Sequence, residues 1–180
     1  MTNTFSFYIF VLVSVLFVSC SQNDLSILID ERESITSMKL VFQESANTLP
    51  LTFLYSKDTD GTGPKVEKKD TIRLDSAKTY NLKVVLMDET KSPAVDVTKE
   101  IEREKEIHFT QISPSTTGFI KVSPLDLDAN GFPVGLNNSF EVLKKGNTKL
   151  SIVLYHQLGS KDNAENNGAD IAVDFDLKTK

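Results

Sequence analysis

His108 and His156 are the only imidazoles in this 180-residue chain. Imidazole nitrogen is a ligand for zinc and copper, and two such rings with one or two carboxylates complete a donor set. Glu104, Glu106, Asp162 and Asp170 are the acids that could join them. No His-x-His or His-x-x-x-His pair occurs, so only the fold could bring the two rings together. The plainer reading of each histidine is a structural or surface residue. A second pattern is DLDANG, residues 126 to 131, where Asp126, Asp128 and Asn130 before Gly131 reproduce the first half of a calcium-loop signature. Calcium takes several oxygens at about 2.3–2.6 Å, which alternate short acids around a glycine turn can deliver. Position twelve is Asn137, however, where a bidentate Glu belongs, and Pro133 stiffens the return. A polar β-turn with Asn-Gly supplying positive φ is therefore the expectation, and Asp58 and Asp60 in KDTDGTG read as a turn outright.

Other chemistries find little support. No G-x-S-x-G elbow, H-E-x-x-H pair or glycine-rich phosphate loop occurs, and the serines have no identifiable base, so catalysis is not expected. The formal charge of −5 lies wholly after Cys20, and no basic stripe interleaves with aromatics, which speaks against nucleic acid as a partner. With no tryptophan, the aromatic platform for a sugar reduces to Tyr55, Tyr80 and Tyr155 once Tyr8 leaves with the signal described next.

The only cysteine, Cys20, follows the most apolar stretch of the chain, residues 5 to 18. That stretch is short of the about 20 apolar residues needed to span a bilayer, but suits the centre of a secretory signal. Val18-Ser19-Cys20 resembles the lipobox of bacterial lipoproteins, although Phe17 stands where Leu is commoner and MTNTFS carries no Lys or Arg. The resemblance implies that residues 1 to 19 are removed and that Cys20 is lipidated. Each buried methylene of the acyl chains contributes about 0.8 kcal/mol to holding a domain at a membrane. A lone cysteine also leaves no disulfide, so the exported domain depends on its core.

The elements that must position any site are strands. Met38, Leu40 and Phe42 alternate with polar neighbours, as do Leu51, Phe53 and Tyr55, then Tyr80, Leu82, Val84 and Leu86. Ile107 and Phe109, Ile120 and Val122, Leu150 to Leu154, and Ile171 to Leu177 follow the same rhythm. Period two over seven or eight segments predicts an all-β fold, a single antiparallel β-sandwich, Ig-like in size. Residues 92 to 106 break the rhythm: Asp96 and Thr98 are candidate N-caps, with Glu100, Glu102 and Glu104 behind them, so a short helix or acidic crossover is expected. Residues 20 to 34 read as lipidated cysteine and tether, and 35 to 180 as the sandwich. On this phase His108 should point away from the core beside Glu106, while His156 continues the buried phase of Leu154. Asp170, Asp174 and Asp176 should form a solvated outer face on the last strand.

The stretch from Ser92 through Glu104 to His108, the DxDxxGxPxGL pattern from Asp126 to Leu136, Tyr155-His156 and the run Asn167-Gly168-Ala169-Asp170-Ile171 resemble a family. It is that of the small outer-membrane lipoproteins of Bacteroidetes (flavobacteria), often encoded beside TonB-dependent receptors and commonly labelled type 1 periplasmic-binding-fold proteins. That label implies a two-lobed α/β fold of about twice this length, whereas the alternating segments predict a sandwich. The resemblance implies a binding protein anchored at the outer membrane, on its periplasmic or cell-surface face, and accessory to a TonB-dependent nutrient receptor. A zinc- or copper-binding lipoprotein using both histidines, and a purely structural envelope lipoprotein, are the alternatives.

Overall fold

The structure is a computed structural model that describes residues 33–57, 67–157, 161 and 168–180. Cys20, the signal, most of the tether, Asp58, Asp60 and Asp162 lie outside the described residues. Eleven strands and one helix are described: β1 (Ser37–Gln43), β2 (Leu51–Ser56), β3 (Lys68–Lys69), β4 (Ile72–Leu74), β5 (Thr79–Asp88), β6 (Val95–Asp96), α1 (Thr98–Arg103), β7 (His108–Pro114), β8 (Ile120–Pro124), β9 (Asn137–Val142), β10 (Gly146–His156) and β11 (Ala169–Thr179).

They form an all-β sandwich of two sheets. The larger has the order β3-β2-β1-β5-β9-β8, with β6 also pairing β5, and the smaller has the order β4-β11-β10-β7. Pairing is antiparallel except between β4 and β11, which run parallel. The alternating apolar residues point inward as their period requires. Met38, Leu40, Phe42, Leu82, Val84, Leu86 and Phe140 from one sheet meet Leu150, Ile152, Leu154, Val173, Phe175 and Leu177 from the other in one buried core. Each such large side chain contributes about 1.5–3 kcal/mol when fully buried. Phe42 anchors this core with edge-on contacts to Phe53, Tyr80 and Phe140.

Two local features steer side chains toward the site. Helix α1 is short, and Thr98 ties it to β5, donating to the Leu86 carbonyl and accepting from the Leu86 N–H. The cap position is Val97, which makes no side-chain cap hydrogen bond, so neither Asp96 nor Thr98 is the N-cap expected of them; Asp96, one residue earlier, accepts the Thr98 N–H. Glu104 lies at the opposite end of the helix, as its C-cap. The second feature is a β-bulge. Leu154 pairs with Ile171, but Tyr155 pairs with Ala169, so Asp170 is an extra residue on β11. A bulge bends its strand and re-aims the extra side chain, here inward.

Candidate metal centre

The pairing of β7 with β10 fixes where the histidines point. His108 lies opposite His156, Thr110 opposite Leu154 and Ile112 opposite Ile152. Since β10 buries His156, Leu154 and Ile152, the facing residues on β7 must be inward too. His108 is therefore fully buried, which corrects the expectation that it points to solvent beside Glu106. Ile107 and Phe109 had set the wrong phase. Phe109 instead faces the outer side of the sheet, where it lines a cleft with Tyr155, Phe132 and Pro133. His156 is buried as expected.

The two rings stack edge-on, with centroids 4.6 Å apart. Two carboxylates complete the group. Glu33 Oε1 is 2.9 Å from His108 Nε2, and Glu33 Oε2 is 3.4 Å from His156 Nδ1. Asp170 Oδ2 lies 3.8 Å from His108 Nε2 and 3.9 Å from His156 Nδ1. One donor atom from each of Glu33, His108, His156 and Asp170 lies within 4.8 Å of all the others. The side chains of His108 and Asp170 are wholly covered, and those of Glu33 and His156 nearly so.

The inward Asp170 corrects the solvated face expected of the last strand: the bulge turns Asp170 in, while Asp174 and Asp176 keep the regular phase and stay exposed. Glu33 was read as part of a tether, but its carboxylate sits in this cluster and the compact unit is Arg32–Lys180. Its neighbour Ile35, which is buried, was the available signal that the chain is already committed to the core here.

The protonation of the cluster follows from its contacts. Burial alone would push the Glu33 carboxyl up. Its side-chain contacts with His108 and Asp170, together with the charge of His108, outweigh that and hold it down at about 2. Burial likewise opposes a charged His108 ring, but the Glu33 carboxylate, the Glu104 carbonyl and Asp170 raise its pKa overall. His108 Nδ1 lies 3.0 Å from the Glu104 carbonyl at the end of α1. Donation there fixes the tautomer and leaves Nε2 to face the carboxylates. That Nε2 makes an ion-pair contact with Glu33 rather than an aligned hydrogen bond.

The remaining candidates go elsewhere. Glu104 offers its backbone carbonyl rather than its exposed carboxylate. Glu106 is half-buried and acts on Lys161. Asp126 accepts the backbone N–H groups of Gly135, Leu136 and Asn137. Asp128 accepts those of Asn130 and Phe132 through Oδ1, and its Oδ2 lies 3.3 Å from the Lys161 ammonium. Asn130 is exposed. These are the bonds of a braced turn. The chain matches no protein-family model, no curated protein and no solved structure.

Proposed function

We propose that the chain is a lipid-anchored metal-binding protein, holding a divalent transition ion between Glu33, His108, His156 and Asp170. The observation that carries this is the convergence of four donor atoms from four separate segments within 4.8 Å. Two imidazole nitrogens and two carboxylate oxygens suit zinc or copper(II), whereas copper(I) favours sulfur. Tetrahedral zinc with ligands at about 2.0–2.1 Å places neighbouring donors about 3.3 Å apart. The histidine–carboxylate separations run from 2.9 to 3.9 Å, with Glu33 reaching the two rings through different oxygens. One donor from each residue lies within 4.8 Å of the others, so side-chain shifts must draw the donors together to complete the shell. The Glu104 carbonyl behind His108 is the kind of outer partner that orients a ligating histidine. A dication also balances two carboxylates that are otherwise costly to bury together.

The covered ligands favour holding an ion over turning over a substrate, since little open space reaches the donors. Cys20 and the signal ahead of it support an anchored location, and the resemblance supports the outer membrane and a TonB-dependent receptor as partner. Within that reading the ligand becomes a metal ion. Calorimetric titration of the purified protein with zinc tests it. One ion per chain is expected in the wild type and none in a His108→Ala, His156→Ala double variant. A wild type that takes up no zinc or copper would leave the cluster as a buried ion-pair network and the structural envelope role as the surviving alternative.

A further inference from the structure

Three of the four ligands belong to one sheet. His108 opens β7, His156 ends β10 and Asp170 lies in β11, on three neighbouring strands of the smaller sheet. The fourth does not: Glu33 precedes β1, a strand of the larger sheet. We infer that the ion acts as a clasp, joining the anchor-proximal end of the chain to the opposite sheet, so that occupancy tightens the hold on this end beyond what the Glu33–histidine contacts supply. The inference rests on the metal reading above and adds a consequence to it.

The hold on this end is otherwise slight. Among the described residues, the first backbone hydrogen bond from it into a sheet is the Thr36 N–H to the Met87 carbonyl. Before Thr36, the buried Ile35 side chain and the Glu33 carboxylate supply the attachment. The Ile35 N–H turns back on the Glu33 carbonyl and reaches neither sheet. No disulfide can fasten the two sheets, because Cys20 is the only cysteine. A metal bond from Glu33 to three residues across the sandwich therefore occupies the place a cross-link would take, and its binding energy appears as order in the segment it pins.

Hydrogen exchange, followed by mass spectrometry on the full mature protein with and without zinc, reads the clasp directly. With one equivalent of zinc, amides of residues 33–36 should exchange at least about tenfold more slowly, while those of β5 change little. A chelator should restore the fast rate. Glu33→Gln keeps three ligands and the shape of the side chain, so it should still bind zinc, more weakly, but without the slowing. If the wild type binds zinc and residues 33–36 exchange unchanged, the clasp is overturned and the metal reading stands. Equal slowing in Glu33→Gln would overturn it too. A wild type that binds neither zinc nor copper would remove both together.

Discussion

The turn at Asp126 and the cluster at His108 invite comparison, because each gathers acids and only one announces itself in the sequence. In the turn, Asp126, Asp128 and Asn130 follow a recognisable spacing, yet backbone N–H groups and Lys161 take up the carboxylates. In the cluster the four residues are scattered from position 33 to 170, and their donor atoms converge on one point. Local spacing thus served to brace a loop, whereas pairing across strands gathered the donors of the candidate centre. The lesson is physical: short-range acids find nearby N–H donors first, whereas acids and imidazoles brought together by strand pairing meet one another.

The largest effect should come from the turn, through Gly135. Its φ is +80°, and a Cβ there would lie 2.2 Å from the Thr110 carbonyl oxygen on β7. Gly135→Ala should cost about 3–4 kcal/mol of folding stability, measured by urea denaturation. A near-neutral result would mean the turn does not press on β7, and with it that β7 is not held in place from that side.

Next comes the cluster. His108→Ala should lower zinc affinity at least about 100-fold, about 2.7 kcal/mol, in a competition assay with a chromophoric chelator. Asp126→Ala leaves three backbone N–H groups without their acceptor and should cost about 2 kcal/mol of stability. Its zinc stoichiometry should nonetheless match the wild type. Loss of zinc binding in a folded Asp126→Ala protein would break the comparison, since the turn would then be serving the metal.

Acidity sharpens it from another side, with chelator present. Glu33, depressed from 4.5 to about 2, contributes stability that is present above pH 4.5 and lost as the pH falls toward 2. His108, raised above 6.5, contributes stability that is present below pH 6.5 and lost as the pH rises through its folded value. The metal-free domain should therefore be most stable between about pH 4.5 and 6.5, seen as a maximum in melting temperature against pH. A melting temperature still rising steadily above pH 7 would contradict the charged pair. The smallest effect is on β11 itself: Asp174→Asn should change stability by less than about 0.5 kcal/mol, because this acid is exposed. Asp170→Asn, four residues earlier on the same strand, should weaken zinc binding, and equal behaviour of the two would deny the bulge its role.

Much of the sandwich was legible because its strands alternate cleanly, β1, β5, β10 and β11 above all. Strand β9 was not, since Asn138 takes one of its inward positions and only Phe140 and Val142 mark the buried face. The same difficulty hid His108. The inward residues of β7 are His108, Thr110 and Ile112, two of them polar, and the phase was settled by pairing with β10 rather than by hydropathy. Had His108, Thr110 and Ile112 been read as one face, the two histidines would have met. Asp170 required the bulge, which follows from register and leaves no mark in residue type. Glu33 sits in a charged run, DERES, that reads as solvated chain, and only the fold shows where its carboxylate goes.

Cobalt(II) substitution tests the central claim most directly, because its visible spectrum reports coordination geometry as well as binding. One equivalent of cobalt should give intense bands of a four-coordinate site with nitrogen and oxygen ligands, abolished by zinc and by His108→Ala but kept in Asp126→Ala. A spectrum no stronger than that of hydrated cobalt, with the wild-type protein folded, would contradict a metal centre at these four residues.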